Sequence, residues 1–242
     1  MKILGIDTSN QAMSIALVDE DGLVIEKTVN IKRNHSIQLM PSIEALFGEA
    51  NWVPKDIDRV AVASGPGSYT GVRIGVTVAK TLAYAVGAEL VGVSSLHVLA
   101  GNGEQIPGSF IVPLFDARRG NIYTGLYHYQ QGVCRPVQTD THIAIEKWAD
   151  FLEGLQAPVQ LVGTDVNKHM DVLNNRLGDR LLLLAPSQTL PRASVLAELA
   201  RDKKPEVVHT FEPSYLKLAE AEQKWMETQT EESLGGGWIE KL

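Results

Sequence analysis

Asp7-Thr8-Ser9 ends an apolar run, Ile3-Leu4-Gly5-Ile6. A strand-end carboxylate with neighbouring hydroxyls and free backbone amides is a combination that holds a hydrated metal and phosphate oxygens. The same residues also suit a turn whose Asp and Ser satisfy local amides. A second candidate is Ser64-Gly65-Pro66-Gly67-Ser68-Tyr69-Thr70-Gly71-Val72-Arg73-Ile74-Gly75. Its glycines let a backbone pass close to a ligand, and the helix start behind them favours an anion. It is not a P-loop, since no Gly-Lys-Ser/Thr follows, and its glycine spacing is not that of a dinucleotide fingerprint. A structural strand-to-helix turn fits it equally well. The candidate nucleotide contacts are therefore Asp7, Thr8, Ser9, Gly65, Gly67 and Ser68.

Other chemistries have less to work with. His97 stands alone at a helix start, and His35, His128, His142, His169 and His209 form no i, i+4 pair. The one cysteine, Cys134, excludes an internal disulfide framework and a Cys-based zinc site, and it fits a reducing, cytoplasmic compartment. A peptidase would need a metal pair or an activated nucleophile. A kinase would need phosphate loops in both halves. Asp116-Ala117-Arg118-Arg119-Gly120 could be the second, although Arg118 and Arg119 also read as solvated hairpin residues.

The elements that must position these residues alternate in type. Ile3–Asp7 and Ser14–Asp19 read as strands, and the turn Asp21-Gly22 leads to a third, Leu23–Ile25. A helix starts near His35-Ser36 with Leu39, Ile43, Leu46 and Ala50 on one stripe. Strands over 59–63 and 89–93 flank a helix over roughly 70–86, so part of the sheet is parallel. The pattern then recurs. Ile111–Asp116 and Ile122–Tyr127 repeat the opening strands, at an offset of 109 residues from Asp7 to Asp116 and 110 from Gly22 to Gly132. Helices near 145–155, 167–177 and 193–202 and strands at 160–163 and 180–185 follow. The expected fold class is α/β with two duplicated lobes, residues 1–105 and 106–212, meeting between Gly101 and Ser109. Residues 213–242 form a C-terminal segment. Glu220, Glu222, Glu227, Glu231 and Glu232 make it acidic, and Gly235-Gly236-Gly237 would need a partner to order it.

The 242 residues carry a net charge of −7, with 44% hydrophobic and 21% charged residues. Up to Phe115 there are 8 basic against 11 acidic residues, and beyond it 14 against 18. Neither part has the basic balance of a protein that holds nucleic acid mainly by its own phosphate contacts. No apolar run reaches the roughly 18 residues of a membrane span, and the start leaves no room for a signal peptide.

Several of these segments resemble the bacterial TsaB (YeaZ) family. They are Ile6-Asp7-Thr8-Ser9 with Ser14-Ile15-Ala16-Leu17, the run Ser64–Gly75, Gly92-Val93-Ser94-Ser95-Leu96, and Pro213-Ser214-Tyr215-Leu216 followed by Glu220-Ala221-Glu222. Ser64–Gly75 is the most specific. The resemblance is continuous over the first lobe and returns near Pro213. It implies the two-lobed actin-like ATPase fold of actin, sugar kinases and Hsp70. It also implies a role in making threonylcarbamoyladenosine (t6A) in tRNA beside the anticodon, as a non-catalytic subunit. The partners implied are TsaD, which performs the transfer, and the ATPase TsaE, with tRNA reached through that complex. ATP or ADP and Mg would belong to the complex, with no cofactor held firmly by this chain alone. Ser95 and Leu99 stand where TsaD-like proteins carry a His-x-x-x-His metal pair, so no catalytic residue is expected here.

The segment Gly71–Val86 carries only Arg73 and Lys80 as charges. Ile74, Val78, Leu82 and Ala85 form one apolar stripe, and Val72, Val76, Ala79 and Ala83 form another. One can pack on the chain's own sheet, and the other then needs cover. Small residues on the second stripe would permit close helix approach, and cover by another part of the same lobe is the alternative. The resemblance implies that homodimers and TsaD complexes use this pair of helices. The expected interface is Ile37, Met40, Val72, Val76, Ala79 and Ala83.

Overall fold

The computed structural model describes residues 1–31 and 35–217 of the chain. The acidic stretch and Gly235-Gly236-Gly237 lie outside the described residues. Ten strands form two five-stranded sheets. In the first, β1 (Ile3–Asp7) pairs antiparallel with β2 (Met13–Val18), and β2 with β3 (Leu23–Val29). On its other side β1 runs parallel to β4 (Arg59–Ala63), and β4 to β5 (Glu89–Val93). The order is β3-β2-β1-β4-β5.

The second sheet is built the same way. From outside in, β8 (Val133–Ala144) and β7 (Asn121–Gln130) lead antiparallel to β6 (Phe110–Asp116). Then β9 (Val159–Val162) and β10 (Leu181–Leu183) run parallel to it. The duplication expected from the recurring hairpin is thus present in full, with Asp7 and Asp116 ending equivalent strands. The twelve-residue β8, at the sheet edge, was not among the expected elements.

Among the described residues six helices cover the sheets: α1 (His35–Ala50), α2 (Tyr69–Val86), α3 (Ser95–Ala100), α4 (Ile145–Gly154), α5 (Met170–Leu177) and α6 (Ala193–Ala200). A 3-10 turn, Val166–His169, precedes α5 where one continuous helix was expected. Every residue of β1 is buried because both faces of the first sheet are covered. Leu4, Ile6, Ile15 and Leu17 pack with Leu39, Ile43 and Leu46 of α1 and Val72, Val76 and Ala79 of α2. The alternate residues Ile3, Ala16, Val18, Ala61 and Ala63 face Ala193, Leu196, Ala197 and Ala200 of α6. This is the period-2 alternation of a strand buried on both sides. Gly5 is the closest approach, since a side chain there would strike the Ala193 carbonyl.

The expected lobe boundaries do not follow this packing. Helix α3 lies on the second sheet, where Leu96, Leu99 and Ala100 pack with Ile111, Phe115 and Tyr127. Helix α6, late in the chain, lies on the first. The lobes therefore exchange helices, and the chain crosses between them at Ser94, ahead of the 101–109 connection. The segment after α6 also returns to the first lobe. The Glu206 amide donates to the Leu90 carbonyl (2.8 Å), and the Phe211 ring fills the space beside Gly92.

The expected interface stripe is also corrected. Val72, Val76, Ala79 and Ala83 are buried within the first lobe, not presented to a partner. Their small size serves a close helix-to-strand approach, because a side chain at Gly75 would meet Thr8 Oγ1 at 2.5 Å. The other stripe, Ile74, Val78 and Leu82, is only partly buried. Ile37 and Met40 on α1 are 70% and 46% exposed.

Candidate functional site

The loop after β1 and the turn before α2 interlock. The Ser9 amide and hydroxyl donate to Asp7 Oδ1 at 2.8 and 2.7 Å. The Thr8 hydroxyl donates to the Gly71 carbonyl at 2.7 Å, and the Ser68 amide donates to the Ser9 carbonyl at 2.7 Å. Ser68 caps α2, its hydroxyl accepting from the Gly71 amide at 3.3 Å. Asp7, Thr8 and Ser9 are buried. Burial raises the Asp7 carboxyl above its ordinary range, against the opposing hydrogen bonds from Ser9 and the charge of His35. Its Oδ2 has no partner among the described residues.

The glycines of Ser64–Gly75 answer to this interlock. Side chains at Gly67 and Gly71 would strike the carbonyls of Ser9 and Thr8, and one at Gly65 would strike the carbonyl of Ser214. The glycines thus let two backbone segments pass close together, and Gly67 also borders the open cavity described next. Of the six candidate contacts, Asp7, Thr8 and Ser9 face inward, Gly65 and Gly67 receive backbone, and only Ser68 is exposed. Asp7, Thr8 and Ser9 make the local hydrogen bonds of the turn reading, and of the six candidates Gly67 and Ser68 border open space.

The open space lies beside this clamp, between the lobes. A cavity of about 570 Å³ has Ser68, Tyr69 and Thr70 on one wall, and Asp116, Arg118, Arg119 and Tyr123 on the other. Tyr215 and Lys217 close one side. Asp116 Oδ1 accepts from the Arg118 amide (3.1 Å), and Oδ2 pairs with Lys168 (3.3 Å). Burial acts against the Asp116 charge, but these contacts and His169 hold the carboxyl below its ordinary range. Arg118 and Arg119 both have left-handed backbone, at φ 68° and 53°. The segment Asp116–Gly120 is therefore a strained hairpin turn on the cavity wall.

A second open region lies on α1 and α2. One groove, about 450 Å³, is lined by Met40, Pro41, Phe47 and Leu82. Another, about 510 Å³, runs past Ser36, Tyr69, Arg73, Ile74 and Val78. At its end Tyr69 stacks on Tyr215 with ring centres 5.0 Å apart, and Arg73 Nε donates to the Tyr215 hydroxyl at 2.8 Å. The sequence reading missed this cluster, since nothing local links Tyr215 to Tyr69. The positions in place of the metal pair are occupied structurally. Ser95 Oγ accepts from the Gly65 amide at 3.1 Å, and Leu99 is in the core. His97 Nε2 lies 2.9 Å from the Cys134 carbonyl.

Two lobes, each with the strand order 3-2-1-4-5 and a cleft between them, define the actin-like ATPase fold. The family model that matches, over residues 24–225, is TsaD: tRNA N6-adenosine threonylcarbamoyltransferase. The Bacillus subtilis protein named tRNA threonylcarbamoyladenosine biosynthesis protein TsaB is 44% identical over 229 residues, covering 95% of this chain and 100% of that one. The Escherichia coli protein of the same name is 29% identical, over 90% and 95%. Two solved structures from Pseudomonas aeruginosa are similar at 29% identity, each covering 89% of this chain and 99% of its own. YeaZ has a TM-score of 0.75, and a protein described as having similarity to peptidase YEAZ has 0.77. The chain belongs to the bacterial TsaB (YeaZ) family, on the TsaD-like fold. No helix among the described residues is long and apolar enough to cross a membrane.

Proposed function

We propose that the chain is a non-catalytic subunit of t6A synthesis on tRNA, which binds and activates TsaD and works with TsaE. The observation that carries this reading is the apolar face of α1 and α2 left uncovered among the described residues, with Ile37 and Met40 exposed beside the partly buried Ile74, Val78 and Leu82. Such a face, bordered by polar residues, marks a protein interaction site. The corrected interface is therefore Ile37, Met40, Ile74, Val78 and Leu82, shared in competition by a second copy of the chain and by TsaD. ATP or ADP and Mg belong in this reading to the three-protein complex, and the compartment is the cytoplasm.

A peptidase reading draws on one neighbour's description only. Cys134 is buried and its thiol is pushed up to about 12 by that burial, which leaves little thiolate for attack. A kinase reading would need phosphate loops in both lobes, and Asp7-Thr8-Ser9 is engaged in the interlock with α2.

Co-expression with the cell's TsaD tests the proposal. The two should co-purify, and t6A formation should require both. Threonylcarbamoyl transfer by a preparation free of TsaD would contradict it, as would modification that proceeds at full rate without this chain.

A further inference from the structure

We infer that the cleft between the lobes seats a single-stranded segment of RNA, with phosphates on Arg118, Arg119 and Lys217 and bases against Tyr69, Tyr123 and Tyr215. This rests on the t6A reading above, which makes tRNA the substrate of the assembly. The chain as a whole is acidic, yet this one cavity gathers three cations. Among the described residues lining it the one carboxylate is Asp116, which Lys168 and the Arg118 amide engage. Tyrosine rings line the same space, and ring faces stack on bases of any identity.

The backbone supports a purpose for the two arginines. Arg118, Arg119 and Gly120 are consecutive left-handed residues, with φ of 68°, 53° and 72°. Left-handed backbone is unfavourable for a non-glycine residue, and such strain clusters at functional positions. A turn selected only for closing the β6–β7 hairpin would favour Gly or Asn at these positions. The arginines hold them instead, on the cavity wall.

Two other occupants fit less well. A free nucleoside triphosphate would need a phosphate seat, and the glycine turn beside the cavity carries no Gly-Lys-Ser/Thr. An acidic peptide would use the cations without extending the stack that Tyr69 and Tyr215 already form. An RNA strand lying along the cleft uses both.

The test is fluorescence anisotropy with a labelled anticodon stem-loop RNA, on the purified chain and on its complex with TsaD, over a range of salt. R118G/R119G removes both charges, and glycine accepts the left-handed backbone, so the variant should fold. Its RNA affinity should fall about tenfold or more, and the slope of log K against log salt should flatten by about 1–2. Lys217→Gln should flatten it by a further fraction of a unit to one unit. Tyr123→Ala should weaken binding without changing the slope. Unchanged affinity and slope in R118G/R119G would overturn the inference, as would absence of RNA binding by both preparations. If the loss is confined to ADP or ATP, the cleft is a nucleotide pocket and the RNA assignment is wrong. If it is confined to TsaD capture, the cleft is a protein contact and the assignment is again wrong. Salt-dependent RNA binding that needs the arginines, in a system where t6A forms without this chain, would sink the t6A reading and leave the RNA site standing.

Discussion

Glu26 and Arg59 hold opposite ends of the same helix. Glu26 Oε1 accepts from the amide and hydroxyl of Ser194 in the first turn of α6, each at 2.8 Å. Arg59 Nη1 donates to the carbonyls of Ala200 and Arg201 at its end, each at 2.6 Å. The charges match the polarity of the helix, negative at its start and positive at its end. Both residues belong to the first sheet, so they fix a helix that the chain supplies more than 130 residues later.

Arg59 is buried and also pairs with Glu89. Arg59→Ala leaves buried carbonyls without a donor and should cost about 2–4 kcal/mol in urea unfolding. Arg59→Lys should recover only part of this, because one ammonium group cannot reproduce the fork of contacts.

The interlocked loops give a second expectation. Gly67→Ala and Gly71→Ala each drive a methyl group into a backbone carbonyl and should lower stability by about 1–3 kcal/mol. Gly48 in α1 has open space around it, and Gly48→Ala should raise stability by about 0.5–1 kcal/mol. Equal effects at the three positions, read by thermal unfolding, would refute the clamp.

Asp7 sets a pH dependence. Its folded carboxyl is raised above the ordinary value of 3.8, chiefly by burial. The stability tied to its neutral form is therefore complete below that value and is lost as pH rises through the folded pKa. Asp7→Asn carries no such charge, so its stability relative to wild type should improve from acid to neutral pH. Urea midpoints measured across that range check the sign, and a pH-independent difference would contradict the assignment.

The two faces of α2 separate in mutagenesis. Ile37→Glu and Val78→Glu should give folded protein that no longer dimerises or captures TsaD. Val76→Glu, on the buried face, should instead unfold the chain, since a carboxylate there has no partner. Size-exclusion chromatography with circular dichroism distinguishes loss of assembly from loss of fold.

Cys134 should be slow to modify in the native state. Its thiol is pushed up to about 12 and is buried, so a thiol reagent near pH 8 should react at a rate set by opening of the second lobe. Fast, stoichiometric labelling of the folded chain would contradict this.

Much of the frame was legible from periodicity. β4 and β5 have the expected bounds, and α2 begins at Tyr69, one residue before the expected Thr70. Strand β8 escaped because its exposed edge residues, Arg135, Pro136, Gln138 and Thr139, give no apolar alternation. The two stripes of α2 could not be ranked locally, since both are apolar. What decides between them is Thr8, which packs against Gly75 across 67 residues of sequence. The burial of Asp7 has the same origin. Its polar neighbours look like a ligand site until α2 and its own loop close over them.

The exchange of helices also bears on synthesis. The face of the first sheet carrying Ile3, Ala16, Val18, Ala61 and Val91 is covered by Val98 of α3 and completed by Ala193–Ala200. As the chain leaves the ribosome, that face lacks α6 while the entire second sheet is made. The first lobe to be translated is therefore completed late, and a nascent chain stopped before residue 193 exposes apolar surface that the finished protein buries under α6.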